Sequence, residues 1–360
     1  MEGLPRPPLG MASDPGDWWF NRHMRIAVIA PPWAPIPPAL YGGIELIVDE
    51  LARGFQTAGH EVILFATGDS TSSVPTKWVL EKAEGYRIGV SVPELRHIMH
   101  AYDAVQDYDI VHDHTVLGPI YAEKFPDLKV VTTIHGPFNE ELTDIYRRVA
   151  DRVPIIAISH AQRQHVPEVP IRRVIHHGID PEAFPVGQGD GGYFLFLGRM
   201  APEKGAHRAV EAAWKAGVPL MLAAKMREPW EFEYFEIYVK PYLNKDLQYL
   251  GEVPHEEKVR LLAGARALLN PIRWAEPFGL VMVEALACGT PVITFPEGAA
   301  PEIIEDGKTG FLCRDVAEMA ERIGQVDQLE RTACRAVVDQ YFCTSRMVAE
   351  HLDLFEELIS

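Results

Sequence analysis

Short apolar runs alternate with amphipathic helical segments twice along this chain, and no other feature of the sequence limits the fold as strongly. Residues 25–30 form a β-branched run typical of a buried strand, and residues 62–66 form another. Between them lie Gly42-Gly43 and a helical pattern that begins at Ile44 and stops at Gly59. A strand, a glycine turn, a helix and a second strand predict the opening of a doubly wound α/β domain with a parallel sheet.

The same alternation continues and then starts afresh after a stretch rich in Gly and Pro that ends at Gly192. Helices are predicted at residues 93–106, 139–153, 203–216, 230–239, 256–263, 279–287 and 345–358. Further strands are predicted at residues 109–112, 129–134, 155–158, 173–176, 193–199, 220–223, 247–250, 267–270 and 292–295. Two similar parallel-sheet domains are expected to face each other across a cleft at the carboxyl ends of both sheets.

These patterns divide the chain into five segments. Residues 1–23 are a Pro- and Gly-rich leader that we expect to be disordered. Residues 24–180 form the first domain, 181–192 a linker and 193–342 the second domain. Residues 343–360 hold an amphipathic helix with no strand after it, which predicts that it packs back at the domain junction.

Composition and charge exclude several classes of protein. The 360 residues carry a net charge of −17, which argues against nucleic acid as the main partner because phosphate binding needs a basic surface. No apolar run is long enough to span a membrane, and the leader lacks the apolar core of a signal peptide. The four cysteines have no metal-binding spacing and fit reduced, buried thiols. We therefore expect a cytoplasmic protein without integral membrane contact, and we leave a homodimer open.

Residues 274–292 are the most informative stretch. Pro277 biases Glu276 toward an extended conformation on a loop, and Gly279 begins a short helix. Glu284 lies about a turn and a half into that helix, roughly 8 Å along its axis. A free helix N-terminus with carboxylates before and behind it can hold an anion together with hydroxyl groups on either side. This arrangement fits a nucleotide diphosphate that carries a sugar at each end.

Glu276 and Glu284 also suggest the acid and nucleophile of a glycosidase. Retaining glycosidases need two carboxyl groups about 5 Å apart across one gap. One glutamate on a loop and another more than a turn into a helix are not expected to flank one bond. Binding of hydroxyl groups is therefore the better interpretation.

Two further features point to phosphate. Gly42 and Gly43 at a strand-to-helix turn let backbone amides approach a phosphate, although a simple tight turn uses the same residues. Arg199 and Lys204 follow the first strand of the second domain, where two cations can clamp a diphosphate. Surface charge is the alternative, but cations at a helix start oppose the helix dipole. The first domain lacks a G-x-G-x-x-G pattern and a ribose-binding acid, so no nicotinamide or flavin cofactor is predicted.

Histidines follow two predicted strands at the cleft edge. His112 and His114 share a strand face and allow a metal site, but no third ligand has a recognisable spacing, so no metal is predicted. His135, directly before Gly136, is the better functional candidate, as a group near the reacting carbon.

From Met24 to near its C-terminus the chain resembles the family four glycosyltransferases, a large retaining family of GT-B fold that uses nucleotide-sugar donors. In the first half the resemblance rests on Tyr41-Gly42-Gly43-Ile44-Glu45, His112-Asp113-His114, Thr133-Ile134-His135-Gly136, Ile158-Ser159 and Gly178-Ile179-Asp180. In the second half it rests on Gly198-Arg199, Glu203-Lys204-Gly205, Glu276-Pro277-Phe278-Gly279 through Glu284, and Gly289-Thr290-Pro291-Val292. Residues 297–302 depart from the family pattern, because such enzymes often have consecutive glycines there.

The resemblance implies catalytic roles for four residues. Arg199 and Lys204 would bind the diphosphate and stabilise the leaving nucleotide. Glu276 would contact hydroxyls of the donor sugar, and His135 would lie beside that sugar. Glu284 would contact the ribose, while backbone groups of the glycine turn, the helix start and the strand end near 251–253 would hold phosphate and base. The implied donor-binding residues are Gly42, Gly43, Gly198, Gly251, Glu252, Val253, Phe278, Gly279, Leu280, Val281 and Glu284.

The expected architecture is therefore GT-B, with two Rossmann-like domains and a C-terminal helix that crosses back to the first. The expected function is retaining transfer of a hexose from a nucleotide-diphosphate sugar, UDP favoured, to an acceptor hydroxyl. No first-domain carboxylate stands out as a nucleophile, so we expect a metal-independent front-side mechanism. The acceptor, a small molecule or a saccharide, would be shaped by residues 31–41 and 69–84. The alternatives are a nucleotide-sugar epimerase or hydrolase on the same fold and a non-enzymatic two-domain sugar-binding protein.

Overall fold

Two parallel sheets, one in each half of the chain, organise the computed structural model, which describes residues 23–38, 40 and 42–360. The predicted leader, apart from His23, and Tyr41 of the glycine-turn motif lie outside the described residues. The fold class predicted from the sequence, two Rossmann-like parallel-sheet domains, is confirmed. The exact domain boundaries stay a prediction.

The first sheet has seven parallel strands in the order β3-β2-β1-β4-β5-β6-β7. Its strands are β1 (Arg25–Ile29), β2 (Glu61–Phe65), β3 (Thr76–Lys77), β4 (Ile110–Asp113), β5 (Val130–Ile134), β6 (Ile155–Ala157) and β7 (Ile171–Val174). Its helices are α1 (Gly43–Thr57), α2 (Ser91–Asp103), α3 (Gly118–Tyr121), α4 (Glu140–Val149) and α5 (His160–His165). The strand order reverses between β1 and β4, which is where open sheets of this kind bind ligands.

The second sheet has six parallel strands in the order β10-β9-β8-β11-β12-β13. Its strands are β8 (Phe194–Arg199), β9 (Leu220–Lys225), β10 (Leu247–Gly251), β11 (Leu268–Asn270), β12 (Val292–Thr294) and β13 (Gly310–Leu312). Its helices are α6 (Ala206–Ala216), α7 (Pro229–Tyr238), α8 (His255–Gly264), α9 (Leu280–Ala287), α10 (Ala300–Ile303), α11 (Val316–Ile323) and α12 (Arg331–Tyr341), followed by α13 (Thr344–Ile359). The reversal of order here lies between β8 and β11.

The start of α6 differs from the prediction in a way that matters for the site. The helix begins at Ala206 and not at residue 203, because Gly205 takes a left-handed conformation with φ of 81° at the N-cap. Lys204 therefore lies on the loop before the helix and not in its first turn. The short strands β3 and β13 and the helices α3, α5, α10, α11 and α12 were not among the predicted elements.

The last helix, α13, leaves the second domain and packs on α1 of the first, as the predicted architecture requires. Val348 fills the space over Gly54, where an added Cβ would lie 2.3 Å from its Cγ2 atom. Phe55 and Phe355 pack with ring centroids 5.3 Å apart, and the Thr344 hydroxyl donates to a Glu50 carboxylate oxygen at 2.7 Å. This contact ties the two domains together, and the start of α13 lies beside the linker, where Cys343 pairs with Ile179. Within the described residues, no helix has both the length and the apolar character that a membrane span requires.

His351 is buried at the centre of this contact. Its side chain is 2 % exposed and packs among Phe55, His112 and Phe355, and its Nδ1 donates to the Met347 carbonyl at 2.8 Å. Burial lowers the pKa of His351 from 6.5 to about 4. The folded protein therefore favours the neutral ring, while the unfolded chain takes up a proton near pH 6.5.

We predict that acidification destabilises the protein through this histidine. The stabilisation is fully present above the unfolded pKa and is lost as the pH falls below it, by about 2 kcal/mol between pH 7 and pH 5. In His351→Gln, the free energy of unfolding should lose this part of its pH dependence. Urea titrations at several pH values measure it. The matched variant His165→Gln, at an exposed position, should keep the parent slope. Equal slopes in the parent and His351→Gln would contradict the prediction.

Candidate functional site

The carboxyl ends of the two sheets border one cleft of about 790 Å³. Two helices point their N-termini into it, α1 from the first domain and α9 from the second. The domains approach closely there, because a Cβ added to Gly43 would lie 3.2 Å from Leu280 Cδ1. The cleft predicted from the two sheets is thus present, and both helix starts lie on its wall.

Both helices start at a glycine. Gly42 caps α1 and Gly279 caps α9, so neither N-cap residue has a side chain that accepts from the first N–H groups. At α1 the Glu45 carboxylate accepts from its own backbone amide. Gly279 has a φ of 95°, which a residue with a side chain adopts only at a cost. Unsatisfied N–H groups together with the positive end of the helix dipole favour an anion at each start. The structure therefore brings Gly42, Gly43, Gly279, Leu280 and Val281 together, as the sequence predicts.

Lys204 and Glu276 are direct partners in the cleft. The Lys204 ammonium group forms an ion pair with the Glu276 carboxylate and lies 4.9 Å from the centre of the Trp274 ring. The Trp274 indole N–H donates to the same Glu276 oxygen at 2.9 Å. Both charged side chains are mostly buried, with 18 % and 14 % of their surface exposed. A cation and a carboxylate therefore lie together beside the start of α9.

Arg199 is placed differently from its predicted clamp partner. Its guanidinium pairs with Glu203, lies 3.5 Å from a Glu231 oxygen and 5.4 Å from the centre of the Trp230 ring, and it does not line the cleft in the described structure. Gly198, just before it, does line the cleft. To take part in a clamp, the Arg199 side chain would have to exchange these partners for a phosphate.

Two cations that the sequence analysis missed lie on the cleft wall. Lys225 ends β9 and Arg227 follows it, so both come from the carboxyl edge of the second sheet. Their charges act on Glu45 of α1: burial raises the pKa of this carboxyl, and Lys225 and Arg227 oppose the rise. They could have been found by the signal that identified Lys204, a cation just beyond a predicted strand.

The far side of α9 holds the second glutamate. Glu284 is 5 % exposed and accepts a hydrogen bond from the Lys258 ammonium group at 2.5 Å. Glu252 and Val253 line the cleft beside it, whereas Gly251, with a φ of 82°, ends β10 behind the wall. The two glutamates thus flank the start of α9, each paired with a lysine. Phe278, 2 % exposed, packs beneath the helix start.

His135 lies on the cleft wall at the end of β5, but both of its ring nitrogens are engaged. Its Nε2 is 2.8 Å from His114 Nδ1, and its Nδ1 is 3.3 Å from His177 Nε2. Burial lowers the pKa of His135 to about 3, so the ring is neutral. His112 bonds the Thr133 hydroxyl at 2.8 Å instead of facing the cleft. Within the described ranges, no group of three or more His, Cys, Asp or Glu side chains is arranged to hold a metal ion.

Comparison with models of protein families identifies the family of this chain. Residues 41–183 match the model of "Glycosyltransferase Family 4", and residues 182–336 match that of "Glycosyl transferases group 1". The chain belongs to this family of glycosyltransferases. The two models match successive halves of the chain and meet at residues 182–183.

Relatives of this glycosyltransferase cover most of its length. The glycogen synthase of Mycobacterium tuberculosis is 26% identical in an alignment of 364 positions, gaps included, which covers 84% of this chain and 86% of that protein. The phosphatidyl-myo-inositol mannosyltransferase of Mycolicibacterium smegmatis is 27% identical over 326 residues, with 80% of each chain covered.

Solved structures share the two-domain fold. AviGT4, a glycosyltransferase involved in avilamycin A biosynthesis, superposes with a TM-score of 0.70 at 24% identity over 93% of this chain and 98% of its own. HepE of Anabaena, determined in complex with UDP and glucose, gives 0.75 at 19% identity over 93% of this chain and 100% of its own. The GT-B fold of this glycosyltransferase is therefore established.

The loop that departs from the family pattern holds Glu276 in place. The consecutive glycines that such enzymes often have are not needed in this loop. Gly298 has a positive φ of 54°, whereas Ala299 has an ordinary helical conformation. The Ala299 amide donates to the Glu276 carbonyl at 3.0 Å. A Cβ at position 298 would lie 2.2 Å from that carbonyl oxygen and 2.4 Å from the Glu276 amide nitrogen.

Glu302, at the end of the same loop, was not predicted as a site residue, yet it joins the two domains of this glycosyltransferase. Its carboxylate accepts from the backbone amides of His160 and Ala161, at 2.9 Å and 2.7 Å, and from His176 Nε2 at 2.6 Å. A glutamate in a first helical turn is common for dipole reasons alone, so the sequence offers no signal for this contact.

We predict that Gly298→Ala destabilises the protein more than Gly307→Ala does. Both positions have a positive φ, which costs a residue with a Cβ about 1–2 kcal/mol. Only position 298 adds a collision with the backbone of Glu276, since nothing lies within 4 Å of a Cβ at Gly307. Urea unfolding should show the larger loss for Gly298→Ala. Equal losses in the two variants would mean that the loop does not hold Glu276.

Proposed function

We propose that this glycosyltransferase moves a hexosyl group from a nucleotide-diphosphate sugar, with a UDP-sugar favoured, to an acceptor hydroxyl, with retention of configuration and without a metal. The observation that carries the proposal is the start of α9, an open helix N-terminus flanked by the Lys204–Glu276 and Lys258–Glu284 pairs. An anion site between two carboxylates matches a diphosphate between two sugars.

In this proposal the donor lies along the second-domain wall. Its diphosphate takes the α9 amides and the Lys204 ammonium group, which exchanges Glu276 for a phosphate oxygen. Glu276 is then free to accept from hydroxyls of the hexose, and Glu284 accepts from those of the ribose. The base lies against the backbone of Glu252 and Val253, which line that end of the cleft.

The proposed chemistry is front-side displacement. The bond from the anomeric carbon to the phosphate oxygen breaks, and the acceptor oxygen bonds the same face of that carbon. The acceptor proton passes to the departing phosphate oxygen, whose charge the lysine and the helix dipole stabilise. Two of the three α1 carboxylates on the cleft wall are committed elsewhere: Asp49 binds Arg53 and Ser72, and Glu50 binds Arg53 and Thr344. Burial raises the pKa of the third, Glu45, which disfavours the charged form that a nucleophile needs. This supports a mechanism without a protein nucleophile, and a trapped glycosyl-enzyme intermediate would exclude it.

The choice of donor rests on the relatives. HepE has been determined with UDP-glucose, and the curated relatives include a glycogen synthase and mannosyltransferases, which supports a hexose and favours uridine. A panel of UDP-, GDP- and ADP-hexoses tests this by protection against thermal unfolding. A ligand at a hundred times its Kd stabilises the folded state by about 2.7 kcal/mol. A UDP-hexose should protect most, and protection should persist in the presence of a chelator.

We predict that Lys204→Ala lowers the rate of transfer by about 10²–10³, the usual loss when one stabiliser of a developing oxyanion is removed. Arg199→Ala should also lower it strongly, if Arg199 leaves Glu203 for the phosphate. Steady-state kinetics with the donor chosen by the panel measure both effects. Lys215→Ala, in an exposed pair with Glu211 on α6, is the matched control. Near-normal rates in both Lys204→Ala and Arg199→Ala would refute the clamp.

The products separate the proposal from its alternatives. A transferase releases the nucleotide diphosphate in step with glycosylation of an added acceptor, and the product keeps the anomeric configuration of the donor. An epimerase or hydrolase converts the donor alone, and a binding protein releases no nucleotide.

We also propose a cytoplasmic location for this enzyme. Cys288, Cys313 and Cys334 are buried, and all four cysteines are free thiols. Unpaired thiols are typical of a reducing compartment. Fractionation of the source cells with activity as the readout tests the location.

A further inference from the structure

Three histidines stand in a row at the edge of the first sheet. His114 follows β4, His135 follows β5, and His177 lies three residues beyond β7, so the parallel strands bring their rings together at the cleft. The ring centroids of neighbours are 5.1 Å apart in both pairs. His135 and His177 line the cleft, and His114 lies behind them, 4 % exposed.

The hydrogen bonds of the row fix where its protons lie. Each contact joins an Nδ1 atom to an Nε2 atom, His114 to His135 at 2.8 Å and His135 to His177 at 3.3 Å. Burial lowers the pKa of all three rings, so each is neutral and carries one N–H. The three N–H groups must therefore all point the same way along the row, toward His177 or toward His114.

The two directions differ at the inner end. His114 Nε2 is buried and has no partner among the described residues. If the protons pointed inward, this atom would be a buried N–H without an acceptor, which is rare in folded proteins. If the protons point outward, His114 Nε2 carries a lone pair and no proton. His177 Nε2 then accepts from His135, and the proton of His177 is on Nδ1.

His177 Nδ1 is then the outer end of the row. It has no hydrogen-bond partner in the part of the chain that the structure describes, and its residue lines the cleft. The ring packs edge-on against Phe278 at 5.1 Å, directly beside the Glu276–Gly279 turn of the second domain. That turn is where the proposed function places the donor hexose.

We infer that His177 is a substrate-binding residue, whose Nδ1–H donates a hydrogen bond to an oxygen of the donor hexosyl group, and that His135 and His114 position it by fixing its tautomer. The inference rests on the proposed function and names the group that reads the sugar. His135, the predicted residue, has no free ring nitrogen to offer and acts through His177.

Packing behind the row supports a fixed arrangement. The Gln162 amide donates to the carbonyls of Ile134 and Gly136, at 2.9 Å and 2.8 Å, and so clamps the turn that carries His135. Gln162 itself accepts from the Ile158 amide at 2.8 Å. The His135 backbone is therefore held on both sides. Its ring stays in place, so the tautomer of His114 determines that of His177 through the two hydrogen bonds of His135.

The tautomers are tested directly by long-range ¹H–¹⁵N NMR of protein labelled at histidine, with single His→Gln variants for assignment. His114, His135 and His177 should all show the Nδ1–H form in the parent protein. His114→Gln should shift His177 toward a mixture of tautomers, whereas His97→Gln should not. His97 is a buried first-domain histidine that bonds Ala30 and lies outside the row. An Nε2–H form of His177 in the parent would overturn the inference.

The binding role is tested by comparing UDP with a UDP-hexose in calorimetric titrations. His177→Leu should weaken the UDP-hexose roughly tenfold, about 1.4 kcal/mol, and leave UDP unchanged. His177→Asn keeps an N–H near the Nδ1 position and should recover part of the loss. Equal weakening of UDP and UDP-hexose, or no change in either, would overturn the inference. Failure of the parent protein to bind any nucleotide sugar would instead contradict the proposed function, and the NMR result would stand independently.

Discussion

All strands of both sheets are parallel, and the site depends on this constraint because the carboxyl ends of such strands meet at one edge. The first sheet delivers His114, His135 and His177 to that edge, and the second delivers Lys204 and Lys225. The helices that return along each sheet run the opposite way, so α1 and α9 present their N-termini to the same cleft. Positive helix ends, cations and neutral donors are therefore concentrated there by topology, before any single side chain is considered.

The charges of the cleft are matched in pairs in the described structure, and this has a consequence for ligand binding. Lys204 and Lys258 each pair with a glutamate, and Arg199, which does not line the cleft, pairs with Glu203. A mostly buried cation without a partner is costly, so these pairs keep the site folded when no anion is bound. In the proposed binding mode, a diphosphate replaces the carboxylate as the partner of Lys204 and so releases Glu276 for the sugar hydroxyls. The same ion pair would then stabilise the empty site and take part in donor recognition.

The long elements and the start of α9 at the cleft were predictable from the sequence, whereas contacts between the two domains were not. The period of Ile47, Val48, Leu51 and Phe55 gave α1, and Pro277 with Gly279 gave the start of α9. Strands of two or three residues, such as β3 and β13, are too short to show a detectable pattern. Helix α11 could have been predicted, because Asp315 caps it and one of its faces is apolar. Glu302, the side-chain direction of Arg199 and the row through His177 depend on contacts between residues far apart in the chain. No local pattern encodes these contacts.

The central claim is that a nucleotide diphosphate is held between the α9 start and Lys204, and a crystal structure of the protein with bound UDP tests it most directly. We expect the diphosphate oxygens within hydrogen-bond distance of the Leu280 and Val281 amides and of the Lys204 ammonium group. The Lys204–Glu276 ion pair should be broken, and the ribose hydroxyls should lie against Glu284. UDP bound elsewhere in the cleft, or bound with the Lys204–Glu276 pair intact, would contradict the account.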